Sequence, residues 1–188
     1  MTSSKIGEIA LLQIHRDLVV PGDRFDPAPL LEVEQMSIDA AGVLGWNGEA
    51  WAVDVHHRSW PGRGGRRPLS LGFTSHYDKM RRRFRDIPLG TAGENIIVTA
   101  TDPVTLEELG DLVIRGSNGS EALLTGPIVA KPCRQFTSFL LELPHKAAAD
   151  EIADELSFLD GGTRGFIFKV DQVAEPVIVR VGDGVYRA

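Results

Sequence analysis

One cysteine, Cys133, stands in the run Lys131-Pro132-Cys133-Arg134, and a lone thiol has no internal partner for a disulfide. It is either a small buried hydrophobe, a common fate of free cysteine, or a chemical group with a task. Its flanks favour the task. Pro132 is a frequent helix-start residue and Cys133 to Leu143 reads as helical, which would put the thiol in a first turn. Unpaired backbone N–H groups there carry roughly half a positive charge, and Arg134 adds a full one. Both favour the thiolate, the form that attacks sulfur or binds a soft metal.

Other residues could share that chemistry. Asp54 and His56 are two apart in a segment that reads as a strand, Trp51 to His56, so they would share one face while His57 points to the other. They could orient each other, bind a polar ring, or join a distant His76 around a metal. Arg63-Gly64-Gly65-Arg66-Arg67 has free backbone N–H groups and arginine forks, the makings of a phosphate clamp. It lacks the Gly-x-Gly-x-x-Gly and Gly-Lys-Ser/Thr patterns of the nucleotide cradles. His15 and His145 have no partner that the sequence names.

Short elements must position these groups. Twenty glycines and eleven prolines cut the chain into pieces, as in all-β domains. Strands are expected at Lys5 to Ile14, Leu30 to Ile38, Trp51 to His56, Leu69 to Gly72, Ile96 to Thr99, Leu112 to Arg115, Ala122 to Thr125, Gly165 to Val170 and Val177 to Val181. Helices are expected at His76 to Phe84, capped by Thr74, and at Arg134 to Leu143 and Lys146 to Leu156. That strand count predicts a mainly β fold, a closed or partly open β-barrel with a few peripheral helices. At 188 residues with 43% hydrophobic content, the chain fits a single domain spanning 1–188 with a sizeable core.

Net charge is −6, which argues against a general nucleic-acid binder. From Arg58 to Arg85, nine basic residues face one acid, Asp78. This local +8 leaves −14 on the rest of the chain and reads as a local anion site. Arg81 to Arg83 have a simpler role open to them, a solvated helix face. No run of apolar residues is long enough to span a membrane, and no signal-type start is present. With one cysteine, these features predict a cytoplasmic protein with a reduced thiol.

In order along the chain come Gly93-Glu94-Asn95, Leu109-Gly110-Asp111, Pro132-Cys133-Arg134, Arg164-Gly165-Phe166 and Val181-Gly182-Asp183. This ordered set resembles the MOSC domain, found at the C-terminus of molybdenum cofactor sulfurases and as a stand-alone bacterial domain. The match is best over 70–185, with 1–69 a divergent N-terminal part of the same barrel. The family's upstream Gly-Asp-x-His element has Val53-Asp54-Val55-His56 as its counterpart, with the glycine replaced.

The resemblance implies a MOSC or pyruvate kinase β-barrel-like fold that binds the molybdenum cofactor, a molybdopterin bearing a phosphate. It implies Cys133 as the reactive residue, either a persulfide carrier delivering sulfur to a metal–sulfur centre or the protein thiolate on molybdenum. Gly93, Glu94, Asn95, Asp54, His56 and Arg134, with the Arg63, Arg66 and Arg67 clamp, are the expected cofactor-binding set. A sulfur carrier would need a cysteine desulfurase as partner. A molybdenum oxidoreductase acting on N-hydroxylated substrates would need a redox partner, since no flavin or iron–sulfur motif is present. A non-catalytic barrel binding a small anion is the third alternative.

Overall fold

The computed structural model describes residues 4–20, 23–61, 68–171 and 175–188. The strands are β1 (Lys5–His15), β2 (Leu30–Glu32), β3 (Gln35–Asp39), β4 (Gly42–Trp46), β5 (Trp51–Val53), β6 (Leu69–Phe73), β7 (Ile96–Val98), β8 (Leu112–Arg115), β9 (Glu121–Val129), β10 (Phe166–Val170), β11 (Val177–Arg180) and β12 (Gly184–Arg187). The helices are α1 (Thr74–Arg83), α2 (Leu106–Leu109), α3 (Arg134–Leu140) and α4 (Ala153–Leu159).

Seven strands close into a barrel in the order β12-β8-β9-β10-β6-β7-β1, sealed by a β12–β1 pairing. The protein is therefore the mainly β barrel with few helices that the strand count predicts. Its pairings are antiparallel except β6–β7, which is parallel and joined through α1. Parallel neighbours need such a crossover. The long β1 pairs with β12 at its start and with β2 at its end, and register shifts follow Lys5 and Ile9. Gly7 is required near the first of these, because a Cβ there would lie 2.0 Å from the Thr99 carbonyl oxygen. A second sheet, β11-β3-β4-β5, packs Met36, Ile38, Val43, Val177 and Val179 into the barrel core.

β7 shows how the two cores are divided. Ile96 and Val98 face the barrel interior with Leu71, Phe73 and Phe166. Ile97 faces outward into a second cluster with Tyr77 and Met80 of α1 and Phe136 and Leu140 of α3. Successive strand residues alternate faces, so an unbroken apolar triplet buries both. No helix among the described residues is long and apolar enough to cross a membrane.

Several elements differ from expectation. Leu30 to Ile38 is two strands in two sheets. Val33 is buried in the barrel core, and its N–H donates to the Leu12 carbonyl as the chain switches sheets. Thr74 does not cap α1; Phe73 holds that position, and the Thr74 hydroxyl donates to the Ala100 carbonyl. The last helix starts at Ala153 rather than Lys146. Ahead of it the chain is held in turns by Lys146 on Asp23, the Ala147 N–H on Ser138 and the Ala148 N–H on Glu151. Strands β4 and β12 lie beyond those expected, and β12 closes the barrel.

Candidate functional site

A cleft of about 330 Å³ opens at the barrel mouth, lined by His15, His56, Gly93, Glu94, Lys131, Cys133 and Arg164 among others. Its size is within the usual range for small-ligand pockets. Distant segments meet there, among them the end of β1, the turns after β5, the turn before β7, the start of α3 and the turn before β10 that carries Arg164.

Asp54 organises the barrel side. Trp51 to His56 is not one strand; β5 stops at Val53 and the chain turns. Asp54 therefore shares no strand face with His56. Instead it is 1% exposed and accepts four hydrogen bonds. Oδ2 takes the His15 backbone N–H at 2.7 Å and Asn95 Nδ2 at 3.0 Å. Oδ1 takes the His56 backbone N–H at 2.7 Å and His56 Nδ1 at 3.1 Å. Burial works against ionisation, yet the His56 bond, both histidine rings and the His15 N–H together hold the carboxyl below its ordinary value.

Asn95 locks three elements behind this wall. Its Oδ1 accepts from the Ser70 N–H and hydroxyl, and its Nδ2 reaches Asp54 and the Gln13 carbonyl. With its amide so occupied, Asn95 positions the cleft rather than lining it. Gln13 pins the neighbouring turn by donating to the Gly90 and Glu94 carbonyls, both at 2.7 Å. Gly93 takes φ +90°, and a Cβ there would lie 3.0 Å from His15 Cε1. Glycine thus answers two demands, the left-handed backbone and room for the imidazole.

Glu94 is buried. Its Oε2 accepts the Tyr77 hydroxyl at 2.7 Å, and the Tyr77 oxygen accepts the Ala92 N–H. Oε1 has no partner. Burial raises this carboxyl to about 7, against the opposing pull of Tyr77 and Arg164. A buried acid that holds its proton near neutrality is a ready proton donor or acceptor.

The other side carries the thiol. Cys133 is half-buried and caps α3, its carbonyl accepting the Thr137 N–H and hydroxyl. The cation at the sulfur is Arg164, with Nη1 at 3.7 Å from Sγ. Arg164 is fixed by the Lys131 and Ala92 carbonyls and lies over the Phe136 ring at 4.8 Å. Arg134, the expected neighbour, does not line the cleft, and its charge acts on Asp23.

His76 is not part of the cleft; its Nε2 is 3.0 Å from the Val104 carbonyl oxygen, and burial lowers its ring to about 4. His15 takes its place, with one donor atom each from His15, Asp54 and His56 within 4.8 Å of one another. Arg63, Arg66 and Arg67 lie outside the described residues. Arg81 is paired with Asp78 and Asp86, Arg83 with Glu155 and Arg85 with Glu142, so much of the described basic island is neutralised locally, with Arg82 exposed.

Sequence reasoning missed His15 and Arg164 as site residues. Arg164 carried a signal, a cation directly before a glycine and a buried strand. His15 carried none beyond ending an apolar run.

Residues 54–186 match the family model described as MOSC domain. The YuaD protein of Bacillus subtilis has a similar crystal structure, with 18% identity, a TM-score of 0.57, and coverage of 99% of this chain and 95% of that one. A hypothetical protein of known crystal structure follows at 14% identity and a TM-score of 0.50, covering 95% of this chain and 67% of that one. These likenesses concern the fold. No curated protein matches the sequence. With seven strands closed around one core and the family pattern running from Asp54 to Tyr186, the chain belongs to the MOSC domain family.

Proposed function

We propose that this chain binds the molybdenum cofactor at the barrel mouth and that Cys133 carries activated sulfur to a metal–sulfur centre. The observation that supports this most directly is the half-buried Cys133 sulfur with Arg164 at 3.7 Å. A guanidinium fixed there is a counter-charge suited to a persulfide anion.

The residues present fit the cofactor. Arg164 and Lys131 would face its phosphate, the unpartnered Glu94 Oε1 offers a hydrogen-bonding position to its ring, and a soft thiolate suits molybdenum. When bound, the cofactor would supply a thiophilic metal centre. Cys133 loads by attacking the outer sulfur of a desulfurase persulfide. A new S–S bond forms on Cys133, the donor's S–S bond breaks, and the donor cysteine leaves as thiolate with no net redox change.

The test is incubation of the full chain with a cysteine desulfurase and cysteine, followed by mass spectrometry. One added sulfur atom on Cys133, absent from Cys133→Ser, is expected. An unloaded thiol under conditions that load a known carrier would overturn the reading.

Glu94 favours a second reading, in which Cys133 is a molybdenum ligand and the protein reduces N-hydroxylated substrates with electrons from a redox partner. That reduction consumes protons, and Glu94 holds one near neutrality. Reduction of a hydroxylamine by the cofactor-loaded chain with a chemical electron donor separates it from the carrier.

A further inference from the structure

We propose that His15 and His56 form, within the same cleft, a site for a divalent first-row transition metal ion of the zinc type, with the Gly93 carbonyl holding the His15 ring and Asp54 holding the His56 ring rather than ligating. It goes beyond the chemistry of Cys133 and does not depend on it.

Tautomers carry the first part of the argument. The Gly93 carbonyl, 2.6 Å from His15 Nε2, can only accept, so Nε2 bears the proton and Nδ1 is a bare lone pair. That Nδ1 is buried without a partner in a residue 4% exposed, an unfavourable arrangement unless something fills it. His56 follows the same pattern. Its Nδ1 donates to the ionised Asp54, which leaves the Nε2 lone pair, and no described residue bonds that atom.

Metal-binding histidines almost always donate their other N–H to a backbone carbonyl or a carboxylate. Here one ring does each. The edge-to-face packing of the rings, with centroids 5.0 Å apart, keeps both in the cleft that they line. Asp54 already accepts four hydrogen bonds, the full acceptor capacity of a carboxylate. It therefore orients and neutralises. A tetrahedral ion with bonds of about 2.0–2.1 Å draws its donors to roughly 3.3 Å apart. One ring nitrogen of each histidine already lies within 4.8 Å of the other's, and His56, the more exposed ring, can turn to complete the approach. A pair of imidazole donors selects zinc, copper, nickel or iron over magnesium and calcium. The remaining positions stay open to water or a ligand in the cleft. Arg164 opposes a cation here, and the ionised Asp54 offsets it.

The test uses chelator-stripped full-length protein, titrated with Co²⁺ by visible absorption and with Zn²⁺ by calorimetry. One ion per chain is expected. His15→Ala and His56→Ala should each weaken binding at least about tenfold, and Asp54→Asn by about 10–100-fold. Cys133→Ser should leave affinity within about threefold, which keeps the outcome independent of persulfide loading. Circular dichroism checks each fold; should Asp54→Asn unfold, the more exposed His56→Ala carries the test. No binding by the wild type, or unchanged binding in folded histidine variants, would overturn the site. So would loss in Cys133→Ser alone, which would mark a thiol-bound ion.

Discussion

On the barrel side of the cleft, Asp54 accepts four hydrogen bonds and the Asn95 side chain, the donor of one of them, makes three more. On the helix side, Cys133 is half-exposed, and Arg164 is held by two backbone carbonyls and a ring face. The first wall joins β1, β6, β7 and the turns after β5 into one unit, so a change there is paid in folding. The second presents a reactive sulfur whose loss leaves the fold with its bonds intact. The difference separates the residues that build the cleft from the residue that acts in it.

The sharpest way to break this comparison is to delete one group from each wall. Asp54→Ala should cost about 3–5 kcal/mol, because it strands several buried donors at once. Cys133→Ser should cost less than about 1 kcal/mol while abolishing persulfide loading. Urea melts of both read the contrast, and equal losses would erase it.

Next in size is Glu94→Gln. Glu94 is raised to about 7 when folded from about 4.3 in the open chain. The folded state therefore binds the extra proton between these values. Its contribution is full below the unfolded value and is lost as pH rises through 7, to a total of about 3 kcal/mol. Glutamine keeps an acceptor for Tyr77 without ionising, so the variant should gain on wild type between pH 5 and 8. A parallel pH–stability curve would remove Glu94 as a buried acid.

His76 works in the opposite sense. Lowered to about 4 by burial, its folded ring takes up a proton only well below the open-chain value. Stability from this group is complete above about 6.5 and falls by roughly 2–3 kcal/mol as pH drops to 4. His76→Gln should flatten that acid limb in thermal melts. An unchanged limb would assign the slope to other groups, the buried His15 among them.

Arg164→Met should show a smaller stability effect than the buried acid or imidazole, about 1–2 kcal/mol for the lost carbonyl bonds. At a fixed pH it should slow iodoacetamide alkylation of Cys133 several-fold. Unchanged alkylation would mean that the 3.7 Å contact does not govern the sulfur.

The two walls were not equally legible in the sequence. Pro132 and the apolar period after it marked Cys133 as a helix start, a local signal. Asp54 and His56 were identifiable as a pair, but their alternation implied a strand where the chain turns, because the Asp54 carboxylate captures the N–H groups of its neighbours. His15 was not legible. It meets Gly93 across 78 positions and Asp54 across 39, and barrel closure alone brings these together. Strand β12 was hidden by the Gly182-Asp183-Gly184 turn before it, and the division at Val33 by an alternation that continues through the switch between sheets.

The β12–β1 pairing has a consequence for the order of assembly. During synthesis β1 emerges before every other barrel strand and β12 after all of them. Until β12 arrives, one edge of β1 offers unpaired backbone groups to any neighbouring chain. Contacts that join opposite ends of a chain also make folding slow. A nascent chain stalled before Gly184 would hold most of the hydrophobic core and an open seam, the state in which aggregation and chaperone capture compete with folding.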